Sequence, residues 1–423
     1  MYNNNAPHSE RRLPGSRVSV RGMTLVELMV SITITLIVVA ALIALFLNVS
    51  SAQREMNKVN QQIETGRIST FVLENEIALA GFWENYVPQF DDVTLPPTTA
   101  LPLKVPTGLQ PDPCLPYYAA DGSVNWTPDY MRTLLDIPVQ VYAQIPVNCT
   151  TVLQDQKAGT DVLVIRHADT AACPPGAPVA GCESGKLYFW SSQCGTGSNK
   201  QEPSAFDLSI PDPITGLSTS PTPMWSRNCA APTPTPSLRR KFISDIYYIR
   251  TYAETPADAI PTLVRSRFDV SGAKPLETAQ QPPVPLVEGV EGLRVEFGLA
   301  PLSTSGPAVG YPKLVAWSDP ANMPTPTNRG DGSPDGVFVH CSEKLPPDTG
   351  DTNCSADQLA NVVAVKLYVL ARSTAPTSSY QDKRTYTLGG GTFTPAGAET
   401  GFRRHAFATS IRLNNVAGRR ETP

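Results

Sequence analysis

The chain has 423 residues, a formal net charge of −4 and 42 prolines, about twice the usual share. A proline-rich chain of this length favours strands, turns and long loops over a helical bundle. Setting aside residues 1–22 (four arginines, one glutamate) leaves 30 basic and 37 acidic residues, about −7. That balance excludes the broad basic surface on which non-specific nucleic-acid binding depends, and no specific nucleic acid is predicted as a partner.

Residues 1–22 carry Arg11, Arg12, Arg17 and Arg21, and twenty residues without a charge, glycine or proline follow, Leu28–Leu47. At 1.5 Å per residue those twenty span about 30 Å, the thickness of a bilayer core. The arginines put the N-terminal side in the cytoplasm by the positive-inside rule, and the rest of the chain across the membrane. Within this stretch, "RGMTLVELMVSITITLIVVAALIALFLNV", Glu27 is the one carboxylate. Two readings apply to it. It snorkels as an ordinary flanking charge, or it awaits a cation, such as a free amine made by cutting between Gly22 and Met23. Between chains, that contact would set the stagger of helices and build a filament head to tail.

After the span, "SAQREMNKVNQQIETGRISTFVLENEIALAGFW" keeps helical spacing. Met56, Val59 and Ile63, then Ile68, Phe71, Val72, Ala78, Leu79 and Phe82, read as the buried stripe of an amphipathic helix. One helix from Thr24 to about Glu84 would be about 90 Å long, with a slight bend at Gly66. Segments 95–116 and 203–236 are rich in proline and read as ordered surface loops stapled by disulfides, or as partly mobile linkers. "GLRVEFGLA", "VVAVKLYVLA" and "AFATSIRLN" alternate with period two and predict antiparallel strands, covered on one face by the helix. The fold class expected is therefore α+β.

All eight cysteines (Cys114, Cys149, Cys173, Cys182, Cys194, Cys229, Cys341 and Cys354) lie beyond the apolar span. Their even number fits disulfides in an oxidising compartment, and neighbour pairs such as Cys173–Cys182 and Cys341–Cys354 are the simplest pairing. "IRHAD" sets His167 beside Asp169 and reads as a strand end; His340 and His405 stand alone. No nucleophile-elbow, zinc-protease or phosphate-loop motif supports catalysis, and no enzyme activity is expected. In "NRGDGSPDG", Asn328, Asp331 and Asp335 offer oxygens suited to calcium, with spacing unlike an EF-hand; the same residues also make tight turns. No other metal or cofactor is expected.

"RGMTLVELMVSITI" resembles the type III signal of type IV pilins and pseudopilins: a glycine, a hydrophobic residue, then Thr-Leu-x-Glu entering an apolar helix. "QQIETGRISTFVLENEIALAGFW", "GTDVLVIRHA", "IYYIRTY", "PLVEGVEGLRVEFGLA", "LANVVAVKLYVLARS" and "RRHAFATSIRLNN" resemble, in order, blocks of the minor pilin PilW family. The resemblance implies a pilin-like α+β fold, with a long N-terminal helix on an antiparallel sheet and disulfide-stapled loops. It implies a leader, 1–22, removed by prepilin peptidase between Gly22 and Met23, with Met23 then N-methylated. Next come a transmembrane and filament-core helix, 23–48, an amphipathic helix, 49–85, and a periplasmic domain, 86–423, with divergent loops at about 85–155 and 170–240. Thr24, Leu25 and Glu27 would serve assembly. The implied function is a minor pilin that primes the type IV pilus in a tip complex and supports twitching motility and adhesion. Partners would be prepilin peptidase, other minor pilins, the major pilin, a large tip adhesin and the inner-membrane assembly platform. Retention of Glu27 implies docking beneath another subunit. The implied location is the bacterial inner membrane, then the pilus fibre and cell surface. A type II secretion pseudopilin, a membrane-anchored periplasmic enzyme and an adhesin are the alternatives.

Overall fold

The structure, a computed structural model, describes residues 22–84, 86, 110–173, 182–183, 185–192, 206–210, 224–225, 237–271, 274–300, 302, 331–340, 354, 356–378 and 380–420. The chain divides into two compact units, residues 1–57 and 58–423. Helix α1 (Leu25–Leu79) begins in the first and ends in the second.

In the first unit the helix starts at a capping box. The Thr24 N–H and hydroxyl each donate to Glu27 Oε2 at 3.0 Å, and the Glu27 N–H donates back to Thr24 Oγ1 at 3.3 Å. The helix then runs on without a breaker. The hydroxyls of Thr33 and Thr35 bond back to carbonyls one turn earlier (Thr33 to Val30 at 2.8 Å, Thr35 to Ser31 at 2.7 Å), so both threonines are paired on this apolar surface. Leu25, Leu36, Ile37 and Phe46 all stand exposed, and by length and composition the helix is fit to cross a membrane.

In the second unit α1 is followed by α2 (Pro128–Asp136), β1 (Val139–Tyr142), β2 (Val162–Cys173), β3 (Tyr188–Ser191), β4 (Phe206–Ser209) and β5 (Arg239–Arg250). Then come β6 (Thr262–Ser271), β7 (Lys274–Gln280), β8 (Val284–Glu288), β9 (Val290–Leu299), α3 (Ala356–Ala360) and β10 (Val362–Arg372). A hairpin of β11 (Tyr386–Leu388) and β12 (Gly391–Phe393) precedes β13 (Arg404–Arg412) and α4 (Asn414–Arg420). Among the described residues all strand pairing is antiparallel. An eight-stranded sheet has β5 at its centre, with β1 and β2 on one side and β3 and β6 sharing the other. A smaller sheet has the order β13-β10-β9. The fold class is α+β.

The main core lies between the sheets. Val139, Val141, Leu163, Ile165, Tyr247 and Ile249 meet Leu293, Val295, Phe297, Val365, Leu367 and Val369, with Leu73 and Ile77 of α1 among them. The alternation read in the sequence is the inward face of β9 and β10. The opposite face of the large sheet is covered by the segment from Gln110 to Leu153. There Trp83, Trp126, Phe189, Phe242 and Phe268 form an aromatic cluster, and Cys114–Cys149 staples the cover. A loop of 35 residues makes that bridge worth about 4 kcal/mol in the chain-entropy account. Cys173–Cys182 closes the end of β2, and Cys354 is also disulfide-bonded. Cys194, Cys229 and Cys341 lie outside the described residues, and with them the Cys341–Cys354 pairing.

Three expectations change. The 95–116 segment is not all surface loop: Pro111, Pro113 and Cys114 are buried, while 95–109 lies outside the described residues. Within 203–236, Phe206–Ser209 is a strand; most of the remainder lies outside the described residues. The stripe Met56, Val59, Ile63, Ile68 and Phe71 is not core; Met56 and Phe71 are each 64% exposed. The buried line on α1 is instead Gln62, Thr65, Gly66, Ser69, Leu73 and Ile77. Small residues are used there because helix and sheet approach closely. A Cβ on Gly66 would lie 1.9 Å from the Phe407 ring of β13. Gly66 therefore makes room for that ring.

α1 stops at Ala80-Gly81, where Gly81 takes φ +74°. The Asn415 amide of α4 reaches the carbonyls of Ala78, Leu79 and Ala80 at 3.4, 3.3 and 3.2 Å. These are the acceptors a helix end leaves unpaired.

Gly66→Ala tests the close approach. Helix propensity alone would return about 1 kcal/mol, whereas overpacking costs about 1–3 kcal/mol. The expected outcome is a lower melting temperature, recovered when Phe407→Leu is added. An unchanged or raised melting temperature in the single variant would show that the ring yields freely.

Candidate functional site

The residues singled out at the N-terminus converge on the first turn of α1. Gly22 precedes it in a conformation open to any residue, and a Cβ there would meet nothing within 4 Å. The fold gives no reason for a glycine at this position. Met23 is 66% exposed and Leu25 74% exposed. The Glu27 carboxylate is taken up by Thr24, so within this chain it needs no cation. Thr24-x-x-Glu27 is a capping signature that neither sequence reading of Glu27 used.

The histidines are each spent on separate contacts. His167 lies inside β2 rather than at a strand end, because the strand continues to Cys173. Its Nε2 sits 3.3 Å from Glu76 Oε2 on α1, and its Nδ1 lies 2.9 Å from the Ala168 carbonyl. Arg166, on the opposite face, is fully buried and donates to the Ile137 carbonyl at 2.9 Å; burial pushes its pKa down. His340 Nε2 meets buried Asp161 at 2.9 Å, which also holds Arg294 at 3.2 Å and accepts from the Val295 N–H at 2.8 Å. The His405 ring lies edge-on to Phe407, 4.8 Å between centroids. The structure brings no two of these histidines to one place.

Asp331 accepts from the Ser333 N–H at 2.8 Å, and Asp335 from the Leu302 N–H at 2.7 Å. Asp331 thus does the work of a turn residue, Asp335 ties its loop to a residue 33 positions away, and Asn328 lies outside the described residues. Among the described residues no three His, Cys, Asp or Glu side chains gather as a metal site.

A buried ionic cluster was not foreseen. Glu291 of β9 is shared by Arg404 of β13, bonded through Nε and through Nη2 at 3.1 Å, and by Arg372 of β10 at 3.4 Å. Asp382 reaches Arg404 at 3.5 Å, and Lys157 lies 3.8 Å from Glu291. Burial opposes the Arg404 charge, yet Glu291 and Asp382 outweigh it and raise the pKa. For Arg372 burial wins and the pKa falls. The cluster ties all three strands of the small sheet together. In sequence these are ordinary charges, with Glu291 and Arg404 113 positions apart.

Residues 246–415, from the middle of β5 to Asn415, match the family model described as Type IV Pilus-assembly protein W. Residues 17–43 match the prokaryotic N-terminal methylation motif. The chain carries a PilW domain behind a methylation-motif N-terminus. The PilW match takes in the small sheet, the ionic cluster and the residue that caps α1; the methylation motif takes in Gly22, Glu27 and most of the apolar span. Among solved structures, a type IV-like pilin from Thermus thermophilus is similar over 63% of this chain and 81% of that one, with 11% identity and a TM-score of 0.24. A comparison with curated proteins finds no match.

The helix contact at His167 predicts an acid limb to stability. Glu76 is held below its ordinary value of 4.5 by the hydrogen bond from His167, against burial, with help from Arg267 and Arg265. A carboxylate depressed in the folded state contributes fully above its unfolded pKa, and the contribution is lost as pH falls through the folded pKa. Stability should therefore drop below about pH 4.5, and Glu76→Gln should be less stable at neutral pH with a flatter acid limb. Parallel acid melts of the two proteins would rule the contact out.

Proposed function

We propose that the chain is a minor pilin, made as a membrane-anchored precursor and assembled into a type IV pilus. The observation that carries this reading is the start of α1: an apolar helix that no other described residue covers, opened by Thr24 and Glu27, behind a glycine the fold does not require. A glycine there answers to an enzyme that must bind extended backbone closely, which fits cleavage by prepilin peptidase between Gly22 and Met23 and methylation of Met23. The PilW domain on the same chain supports a pilus rather than a plain membrane anchor.

In the uncut chain Glu27 accepts from Thr24. Cleavage would place a free amine one residue before Thr24, and a neighbour's amine would then compete for the same carboxylate. Charge attraction in a water-poor filament core is far stronger than in bulk solvent, so the intermolecular pair would win. Its geometry sets the axial stagger, and the chain docks beneath another subunit. On this reading the domain beyond the span is periplasmic until the fibre extends. The chain works with prepilin peptidase, the assembly platform, other minor pilins, the major pilin and a tip adhesin to prime growth for twitching and attachment.

Glutamine separates capping from charge, because it keeps the capping box but cannot pair with an amine. Glu27→Gln should be cleaved normally yet enter filaments at about a tenth of the wild-type level or less. Wild-type entry would reduce Glu27 to a helix cap. Gly22→Ala should leave a heavier, unprocessed chain by mass spectrometry. Sheared filaments should contain the chain starting at methylated Met23; finding residues 1–22 still attached, or no chain at all, would overturn the proposal.

A further inference from the structure

Beneath the 110–153 cover of the large sheet lies a guanidinium that touches no counter-charge among the described residues. Along β2, Val162 and Val164 pack with Tyr142 and the Cys114–Cys149 bridge, while Ala168 packs with Trp126 and Leu134. Arg166 stands between them on the same face, by the two-residue period of the strand, and is 0% exposed. Its Nη1 donates at 2.9 Å to the carbonyl of Ile137, the residue that closes α2. Its Nε and Nη2 are buried and have no hydrogen-bond partner.

The polar groups around it are committed elsewhere. The Asp112 charge acts on Arg166, but that carboxylate accepts from the Cys114 N–H at 2.9 Å and from Asn148 Nδ2 at 2.6 Å. The Tyr130 and Tyr142 hydroxyls donate to the carbonyls of Asp112 and Pro111. Gln140 of β1 sits across from Val164, one diagonal step from Arg166 on the same face. Its Nε2 goes to Tyr142 at 2.9 Å and to Pro111 at 3.2 Å, and its Oε1 is unpaired.

Nε and Nη2 form the side of a guanidinium that grips an oxyanion through two parallel bonds. Three other arginines of this chain use that side on a carboxylate. Arg267 donates through it to Asp245 at 2.8 and 2.6 Å, and Arg240 sets both nitrogens 3.2 Å from Glu84 oxygens. Arg404 holds Glu291 in the same way. Arg166 is at least as buried as any of them, and a buried cation without a charge partner is costly. Water would meet its hydrogen bonds and leave the charge uncompensated.

We propose that Arg166 binds a small planar oxyanion, of the formate, hydrogencarbonate or nitrate class, beneath the cover of the large sheet. Two oxygens accept from Nε and Nη2, and a hydroxyl on the anion, as in hydrogencarbonate, serves Gln140 Oε1. A carboxylate on another protein's side chain is disfavoured, because Arg166 is wholly covered and a disulfide pins that cover. The site stands apart from the filament reading and does not depend on it.

Thermal melts of the full chain in detergent micelles test this, comparing sodium formate and nitrate with chloride at one pH and equal ionic strength. The melting temperature should rise by about 2 °C or more in a planar anion at about a hundred times its Kd. Formate labelled with 13C should show one bound resonance per chain, displaced by nitrate and not by chloride. Arg166→Lys keeps the cation but loses the paired donors, and should abolish both signals. Gln140→Glu sets a carboxylate beside Arg166, and should abolish them while raising the melting temperature in chloride alone. If Arg166→Lys does not fold, Gln140→Glu and the displacement of formate decide the matter. A shift no larger than that of chloride, a shift shared by the folded variants, or no bound formate would overturn the proposal.

Discussion

An apolar helical surface cannot remain in water, and the residues from Leu25 to Leu47 present one on all sides with no cover among the described residues. Lipid or other helices would supply that cover. That constraint explains the other features of the segment. The Thr33 and Thr35 hydroxyls bond to their own backbone, no proline or glycine interrupts the ladder, and the single carboxylate is placed at the first turn, where unpaired N–H groups can use it.

The second unit solves the opposite problem, which is to hold a helix end and two sheets in fixed register. Close approach at Gly66, the carbonyl caps from Asn415 and the His167–Glu76 contact position α1 along about its last four turns. The Glu291–Arg404–Arg372 cluster fixes the small sheet from within, where an unpaired charge would be costly and a misaligned strand would leave one. A helix end pinned at so many points is held in one register against both sheets of this unit.

Much of this was legible in the sequence. The period-two runs of β9, β10 and β13 and the length of α1 follow from side-chain periodicity, which the chain writes locally. The glycine, threonine and glutamate at the start of α1 also stood out by spacing. The failures have a common cause. The stripe from Met56 to Phe71 has core spacing but faces outward, because periodicity reports that a face is apolar and not which body covers it. The proline-rich 110–116 segment is stapled by a disulfide as expected, yet Pro111, Pro113 and Cys114 are buried rather than at the surface, because composition does not report what a loop folds against.

By itself the sequence determined where the chain is apolar on all sides, where strands alternate and where a carboxylate meets the first turn, since each depends on residues within a few positions of one another. Only the tertiary structure decided that Gly66 makes room for Phe407, that Asn415 closes a helix 335 residues away, and that Glu291 gathers its arginines. Those contacts join positions far apart in the chain, and their energies depend on burial and distance, neither of which a linear pattern encodes.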